Sequence, residues 1–264
     1  MRHKIRDCII WLIALLGIAF LYRAYVRTKG PLVRAIVFHD VKKAQWFEDV
    51  IKMLTESYAI ITPEQFHAKE FNTEKINILL TFDDGYQSWI DVCLPVLTKY
   101  NYKGLFFINS GLLEVAGDEV QTAHYMKTYL HLLPKRALTW EGAKTLITNG
   151  HTIGGHTVTH QNIAILETRV RNDEVKKDKM SIEFNLGSNV SDFAYPFGRK
   201  KNRNAEALQQ IISNGYTHVY TADAGFYSGA NTEIPRLCIE KDQKLSHIDR
   251  WIQGAYDIFS SVSQ

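Results

Sequence analysis

Along this chain, short runs of consecutive apolar residues alternate with stretches in which apolar positions recur at helical spacing. Residues 32–38, 76–82 and 105–108 are apolar runs rich in β-branched and aromatic side chains. Runs of that length predict buried strands. Between them, Trp89, Val92, Cys93, Val96 and Leu97 fall on one helical face. Pro95 has no N–H to donate, so it must kink or restart that helix. Trp140, Ala143 and Ile147 form a second stripe, ended by Asn149-Gly150. Leu208, Ile211 and Ile212 form a third, ended by Asn214-Gly215. Residues 166–186 are long and highly charged, which predicts a solvated outer helix. Residues 112–138 carry scattered aromatics and read as an insertion with some helix. Strands alternating with helices predict an α/β fold with a parallel sheet, open or closed into a barrel.

The N-terminus follows a different pattern. Residues 8–22 are an uncharged apolar run, preceded by Arg2, Lys4 and Arg6 and followed by Arg23, Arg27 and Lys29. The run falls short of the roughly 20 residues a spanning helix needs. Arg23 can snorkel, and Tyr25 and Val26 can carry the span into the interface. The run also fits the core of a secretory signal, with small residues at Gly17 and Ala19, although a cut there would fall inside it. Cations on both flanks and the lack of an amphipathic period disfavour a buried helix of a soluble domain, and we expect a single uncleaved hydrophobic helix, with residues 1–30 as membrane anchor or signal segment and residues 31–264 as one catalytic domain. Lys29-Gly30-Pro31 marks the junction. Cations on both flanks balance, so charge does not fix the orientation.

A length of 264 residues suits one domain of α/β-barrel size. Apolar content of 45% and charged content of 22% are ordinary for a chain with a full core. The formal charge of +3, with no basic block interleaved with aromatics, argues against nucleic acid. Cys8, Cys93 and Cys238 make no Cys-x-x-Cys pair, and the latter two read as small buried hydrophobes.

Four segments carry chemistry. In Thr81-Phe82-Asp83-Asp84-Gly85 an apolar strand ends in two carboxylates. Burying them is costly unless something binds them. Gly85 permits a sharp turn, so both can reach one cleft. Taken alone, Asp84 serves equally well as the N-cap of a helix beginning near Tyr86. His156-Thr157-Val158-Thr159-His160 follows Gly154-Gly155, and histidines four apart share one side of a helical turn. Such a pair suits Zn²⁺ or a similar ion, or is simply an exposed polar turn. Together with an aspartate it supplies three ligands and leaves positions open for water and substrate. In Phe193-Ala194-Tyr195-Pro196-Phe197-Gly198 a strand meets a turn, which taken alone is the favoured reading; with backbone near the same rim, the Phe197 N–H is a candidate to face a developing oxyanion. His39 ends the 32–38 run beside Asp40.

In this order the segments resemble the polysaccharide deacetylase family, also called the NodB-homology domain or carbohydrate esterase family four. The resemblance runs from about Leu32 to about Leu237. It implies a distorted (β/α) barrel of seven or eight units. By motif, Asp83 resembles the family's catalytic base, and Asp84, His156 and His160 resemble its metal ligands. Phe197 resembles the residue whose N–H binds the oxyanion. The family usually places an arginine two residues before the motif-three proline, and here that position is Ala194. Arg236 is a candidate substitute, with a surface strand-end arginine as the slightly preferred reading. For the general acid, Leu245-Ser246-His247 matches a family motif superficially, but Ser246 reads as a helix N-cap. His39 is preferred, because a strand ending in His-Asp-Val is similar to the poly-β-1,6-N-acetylglucosamine deacetylase branch, where the acid lies near the N-terminus.

The resemblance implies removal of N-acetyl groups from an N-acetylglucosamine polymer, first of all a biofilm exopolysaccharide, with Zn²⁺ as default metal and Co²⁺ or Ni²⁺ as alternatives. Peptidoglycan, chitin-like oligomers or a lipid-linked sugar are the alternative substrates; with the last, the reaction is deacetylation or deformylation. The implied setting is the outer face of a membrane, beside exopolysaccharide synthesis or export machinery. A non-catalytic carbohydrate-binding subunit is the competing class, favoured only by Ala194. A two-carboxylate glycosidase fits less well, because its acids stand roughly 5 Å or more apart across the bond.

Overall fold

The computed structural model describes residues 2–229 and 232–262. Among the described residues nine strands are formed: β1 (Val33–Phe38), β2 (Ala59–Ile61), β3 (Asn77–Asp84), β4 (Leu105–Ile108), β5 (Thr152–Gly155), β6 (Asp192–Ala194), β7 (His218–Tyr220), β8 (Glu233–Ile234) and β9 (Arg236–Cys238). They hydrogen-bond in the order β8-β7-β6-β5-β4-β3-β1-β9. Every ladder is parallel. Only Pro235 separates β8 from β9, so the two ends of the sheet are neighbours in the chain and the sheet is a nearly closed barrel. Proline has no donor for a ladder, which suits it to that seam. β2 and β4 share one edge of β3, β2 on residues 77–79 and β4 on residues 81–84.

Strand side chains alternate between faces. Ile36, Leu80, Phe106, Phe193 and Val219 pack outward against helices, among them Phe47, Val50 and Leu54 of the helix Ala44–Ser57. Their sequence neighbours Ala35, Leu79, Leu105, Phe107, Ala194 and Tyr220 pack together inside the barrel. Both faces are buried, which is why the strands read as continuous apolar runs.

The expected helices form. Pro95 lies in the first turn of Leu94–Lys99, directly after a π-helical turn at Trp89–Cys93, so the proline restarts the helix. Trp140–Thr148 and Ala205–Ser213 begin where Thr139 and Asn204 accept the backbone N–H of Gly142 and Ala207. The insertion holds Ser110–Val115, Glu119–Tyr125 and a π-helical Met126–Leu130. Thr168–Leu186 is the charged outer helix, yet Arg171, Val175, Asp178 and Ile182 are buried along one side. The free thiols include buried Cys93 and partly exposed Cys238.

The N-terminal run departs from the single helix expected of it. It forms Arg2–Leu15 and Ile18–Arg27, bent by 69°. Gly17 sits at the break with φ 71°, a conformation open to a residue without Cβ. Among the described residues no single helix is long and apolar enough to cross a membrane, although the bent pair passes that test by length and composition. The pair packs on the C-terminal helices Leu245–Ile252 and Ala255–Val262. Ile10 and Ala19 are buried there, and Arg23 Nη1 donates to the Gln253 carbonyl at 2.7 Å. Leu15, Leu16, Phe20 and Leu21 remain exposed.

Candidate active site

The site lies at the C-terminal ends of the strands. β3 ends in Asp83 and Asp84, both nearly buried at 4% and 6% exposure. Asp83 alternates with Leu79 and Thr81 and points into the barrel. Asp84 would point outward, but its backbone takes φ 90° and Gly85 takes φ 109°, which swings the second carboxylate round to the same end. Asp84 caps no helix. Its Oδ2 accepts the Tyr86 hydroxyl at 2.7 Å, while Oδ1 faces two imidazoles.

Those imidazoles come from the segment after β5. His156 Nε2 lies 3.6 Å and His160 Nε2 3.5 Å from Asp84 Oδ1. The histidines do not share a helical turn, as their spacing suggested. Residues 156–160 form a loop with left-handed backbone at Thr157 (φ 68°) and His160 (φ 52°), and these two turns bring the rings together. With Asp84 and Phe197 (φ 62°), the site holds four of the eight non-glycine residues of positive φ among the described residues. Such strain persists only where the surroundings over-determine it. The surroundings here are specific. His156 N–H donates to Asp178 Oδ2 at 3.0 Å. Asn109 Nδ2 donates to the carbonyls of His156 and Thr157, and the Tyr125 hydroxyl donates to that of Val158. Thr159 is held by Glu174 through its N–H and its hydroxyl.

This donor set fits a divalent ion. His156 Nδ1 lies 2.7 Å from the Ala194 carbonyl, which only accepts, so Nδ1 carries a proton and Nε2 faces Asp84; against burial, the charges of Asp83 and Asp84 hold the imidazole above its ordinary value, so a metal at Nε2 would take the place of a second proton. Separations of 3.5–3.6 Å exceed a hydrogen bond and suit two ligands on one ion at roughly 2.0–2.2 Å each. Asp84, His156 and His160 are one of the groups among the described residues with ligand atoms close enough to hold a metal. Burial pulls the His160 imidazole down to about 4, against the pull of Asp84, so it offers a lone pair at neutral pH.

Asp83 stands beside this set, paired with Arg236. Arg236 Nη1 and Nη2 each reach an Asp83 oxygen at 2.6 Å, and Nε donates to the Thr221 carbonyl at 2.9 Å. Arg236 is 1% exposed, so the surface strand-end reading is overturned. It opens β9, directly after the proline seam, and reaches up the barrel interior over the Phe107 ring. Burial pushes the Asp83 carboxyl up, but the charges of Arg236 and His156 outweigh it and the group is held below its ordinary value. Asp83 is therefore an oriented carboxylate. The place vacated at Ala194 is supplied from the other side of the barrel.

Two hollows, of about 630 and 360 Å³, meet at His160 and Phe197. The larger is lined by His39, Asp84, Tyr86 and Trp46 among others. His39 is exposed at the end of β1, and its carbonyl accepts from Trp89 Nε1 at 3.0 Å. His247 sits elsewhere, with Nδ1 3.8 Å from Asp7 of the first N-terminal helix. Its helix is preceded by Lys244, not capped by Ser246. The Phe197 ring packs edge-on against His160 at 4.8 Å, and its backbone N–H donates to no acceptor among the described residues.

A family model described as polysaccharide deacetylase matches residues 70–219, more than half of the chain. The chain belongs to the polysaccharide deacetylase family. The matched span includes Asp83, Asp84, His156, His160 and Phe197, and leaves out His39 and Arg236. Among relatives of this family, the chain is 24% identical over 214 residues to the putative polysaccharide deacetylase YxkH of Bacillus subtilis (strain 168), spanning 76% of this chain and 69% of that one. The fold is similar to that of the Streptococcus pyogenes deacetylase PplD in complex with acetate, with TM-score 0.69, 21% identity and coverage of 84% of this chain and 98% of that one. It is also similar to a de-N-acetylase from Aggregatibacter actinomycetemcomitans, with TM-score 0.67, 19% identity and coverage of 84% and 98%.

Sequence reading missed Tyr86, Asn109, Glu174 and Asp178, which hold the ligand segment. Glu174 and Asp178 left only a trace, as two charges among many in one helix, of which Asp178 is the buried one. Its partners, Ser110 N and His156 N, lie in distant segments.

Proposed function

We propose that this polysaccharide deacetylase domain is a metal-dependent hydrolase that removes acetyl groups from N-acetylglucosamine units of a polymer. The observation that carries this reading is the convergence of Asp84, His156 and His160 beside the Asp83–Arg236 pair at one open end of the barrel. Asp84, His156 and His160 would hold the ion, Zn²⁺ by ligand type, with Co²⁺ and Ni²⁺ suited to the same donors. When bound, it supplies Lewis-acid polarisation and lowers the pKa of water.

Asp83, kept ionised and oriented by Arg236, takes a proton from the attacking water as general base. The Phe197 N–H donates to the acetamide oxygen as it gains charge. His39, at the mouth of the larger hollow, gives a proton to the departing amine. Acetate and a free amino sugar result. The resemblance to the poly-β-1,6-N-acetylglucosamine branch, and hollows on both sides of His160 and Phe197, favour an internal unit of an exopolysaccharide. Such a substrate places the domain outside the cytoplasm, held at the membrane by the bent N-terminal pair and near the machinery that makes or exports the polymer. The competing non-catalytic reading leaned on Ala194, and the Arg236 contact removes that support.

The test is release of acetate and free amine from β-1,6-linked N-acetylglucosamine oligomers by the full chain in detergent, with Zn²⁺, Co²⁺ or chelator. We expect release that chelator abolishes, added metal restores and Asp83→Asn removes. Equal activity of Asp83→Asn and wild type would rule out the assigned base.

A further inference from the structure

A second group of metal-ligating side chains lies at the other end of the barrel. Asp192 opens β6 and His218 opens β7, paired in register at the N-terminal ends of the strands. His67 ends the short helix Pro63–His67 that follows β2. Asp192 is fully buried, whereas the His67 and His218 side chains are 26% and 29% exposed, which gives an ion a way in. His67 Nε2 lies 2.9 Å and His218 Nδ1 3.8 Å from the same oxygen, Asp192 Oδ1. All three ligand atoms fall within 4.8 Å of one another.

An ion pair between His67 and Asp192 accounts for only part of this arrangement. The two imidazoles are stacked, with centroids 4.2 Å apart and planes 19° from parallel. Two cationic rings repel in that geometry, so one ring is neutral and has a lone pair to offer. His218 Nδ1 is out of hydrogen-bond reach of the carboxylate it approaches, and its near partner is the Thr217 hydroxyl at 3.0 Å. The carboxylate is itself held in place: the Tyr220 hydroxyl donates to Oδ1 at 3.0 Å and the Ser191 hydroxyl to Oδ2 at 2.9 Å. Second partners of this kind fix a metal-binding carboxylate. Of the charges nearby, Glu64 favours a cation and Lys69 opposes it.

We propose that His67, Asp192 and His218 form a second divalent-metal site, independent of the catalytic cleft. Two imidazoles and one carboxylate select an ion of the Zn²⁺, Co²⁺ or Ni²⁺ class over Mg²⁺ or Ca²⁺. The ion displaces the proton shared by His67 and Asp192 and engages the neutral His218. It clips the segment after β2 to the feet of β6 and β7, far apart in sequence, so its effect is on stability and not on the reaction.

The test counts zinc per chain on the full-length protein equilibrated with buffered free Zn²⁺, by elemental analysis. His156→Ala/His160→Ala removes the cleft ligands, and one equivalent is expected to remain. Adding His67→Gln/His218→Gln to that variant should remove it, and the remaining zinc should raise the melting temperature only while His67 and His218 are present. Circular dichroism verifies that each variant is folded, and His218→Phe, which keeps the ring stack, replaces His218→Gln if the double glutamine variant is not. No zinc in the His156→Ala/His160→Ala variant, or zinc that survives loss of His67 and His218, overturns the site.

Discussion

Arg236→Met tests whether the buried pair at the barrel centre is what keeps the proposed base usable. Arg236 makes two 2.6 Å contacts to Asp83 and one 2.9 Å contact to Thr221 O, all in a site where the arginine is 1% and the aspartate 4% exposed. Methionine fills much of the same volume but leaves Asp83 buried without its counter-charge. Breaking one side of a buried pair typically costs about 3–5 kcal/mol. In a domain of this size that lowers the melting temperature by about 6–20 °C. The carboxyl, freed from the guanidinium, is pushed up by burial and loses its orientation, and a fall of roughly 10²–10³ in turnover follows from a displaced general base. The assay is a double-mutant cycle with Asp83→Asn, in thermal unfolding with metal chelated and in acetate release with metal present. Residues in contact couple by up to about 3 kcal/mol. The double variant should therefore be clearly more stable than the sum of the single losses predicts. Additive costs, or an Arg236→Met protein that melts with wild type, would refute the reasoning.

Other outcomes follow from the same contacts. His39→Gln should lower turnover about 10²–10⁴-fold with melting unchanged, while His247→Gln, beside Asp7, should leave acetate release unaltered. Asn109→Ala removes the donor to the His156 and Thr157 carbonyls, and metal affinity, measured by competition with a chelating dye, should weaken about 10–100-fold. His151 is buried, and its Nδ1 accepts the Gly104 N–H at 3.0 Å, so the folded ring is neutral. Burial, with Lys103 adding to it, pulls its pKa down from 6.5 to about 4. Between those values the unfolded chain binds the extra proton, so this contribution is complete above pH 6.5 and is lost as pH falls toward 4. The loss amounts to about 3 kcal/mol, and His151→Gln should flatten the acid limb of the stability curve; an unchanged slope between pH 6.5 and 4 counts against it.

Period and punctuation in the sequence determined much of this molecule. Runs with both faces apolar could be buried only in a parallel sheet covered by helices, and Asn-Gly stops fixed where Trp140–Thr148 and Ala205–Ser213 end. Asp83-Asp84 and His156/His160 were legible because each pair gathers ligand-type residues within a few positions of one another in the chain. What joins distant segments was not legible. Arg236 reads as a strand-end arginine until closure of the sheet at Pro235 turns it inward to Asp83, and nothing in its neighbourhood along the chain signals that. The histidine pair reached its geometry through two left-handed residues of a loop, a conformation that spacing does not encode and that Asn109, Tyr125, Glu174 and Asp178 impose from elsewhere. The N-terminal run followed the same rule: its hydropathy described one helix, but the bend at Gly17 and contacts with the C-terminal helices made two. Local sequence sets which elements form and which donors are available. Which donors meet is decided by burial and charge pairing between segments that only the closed barrel brings into contact.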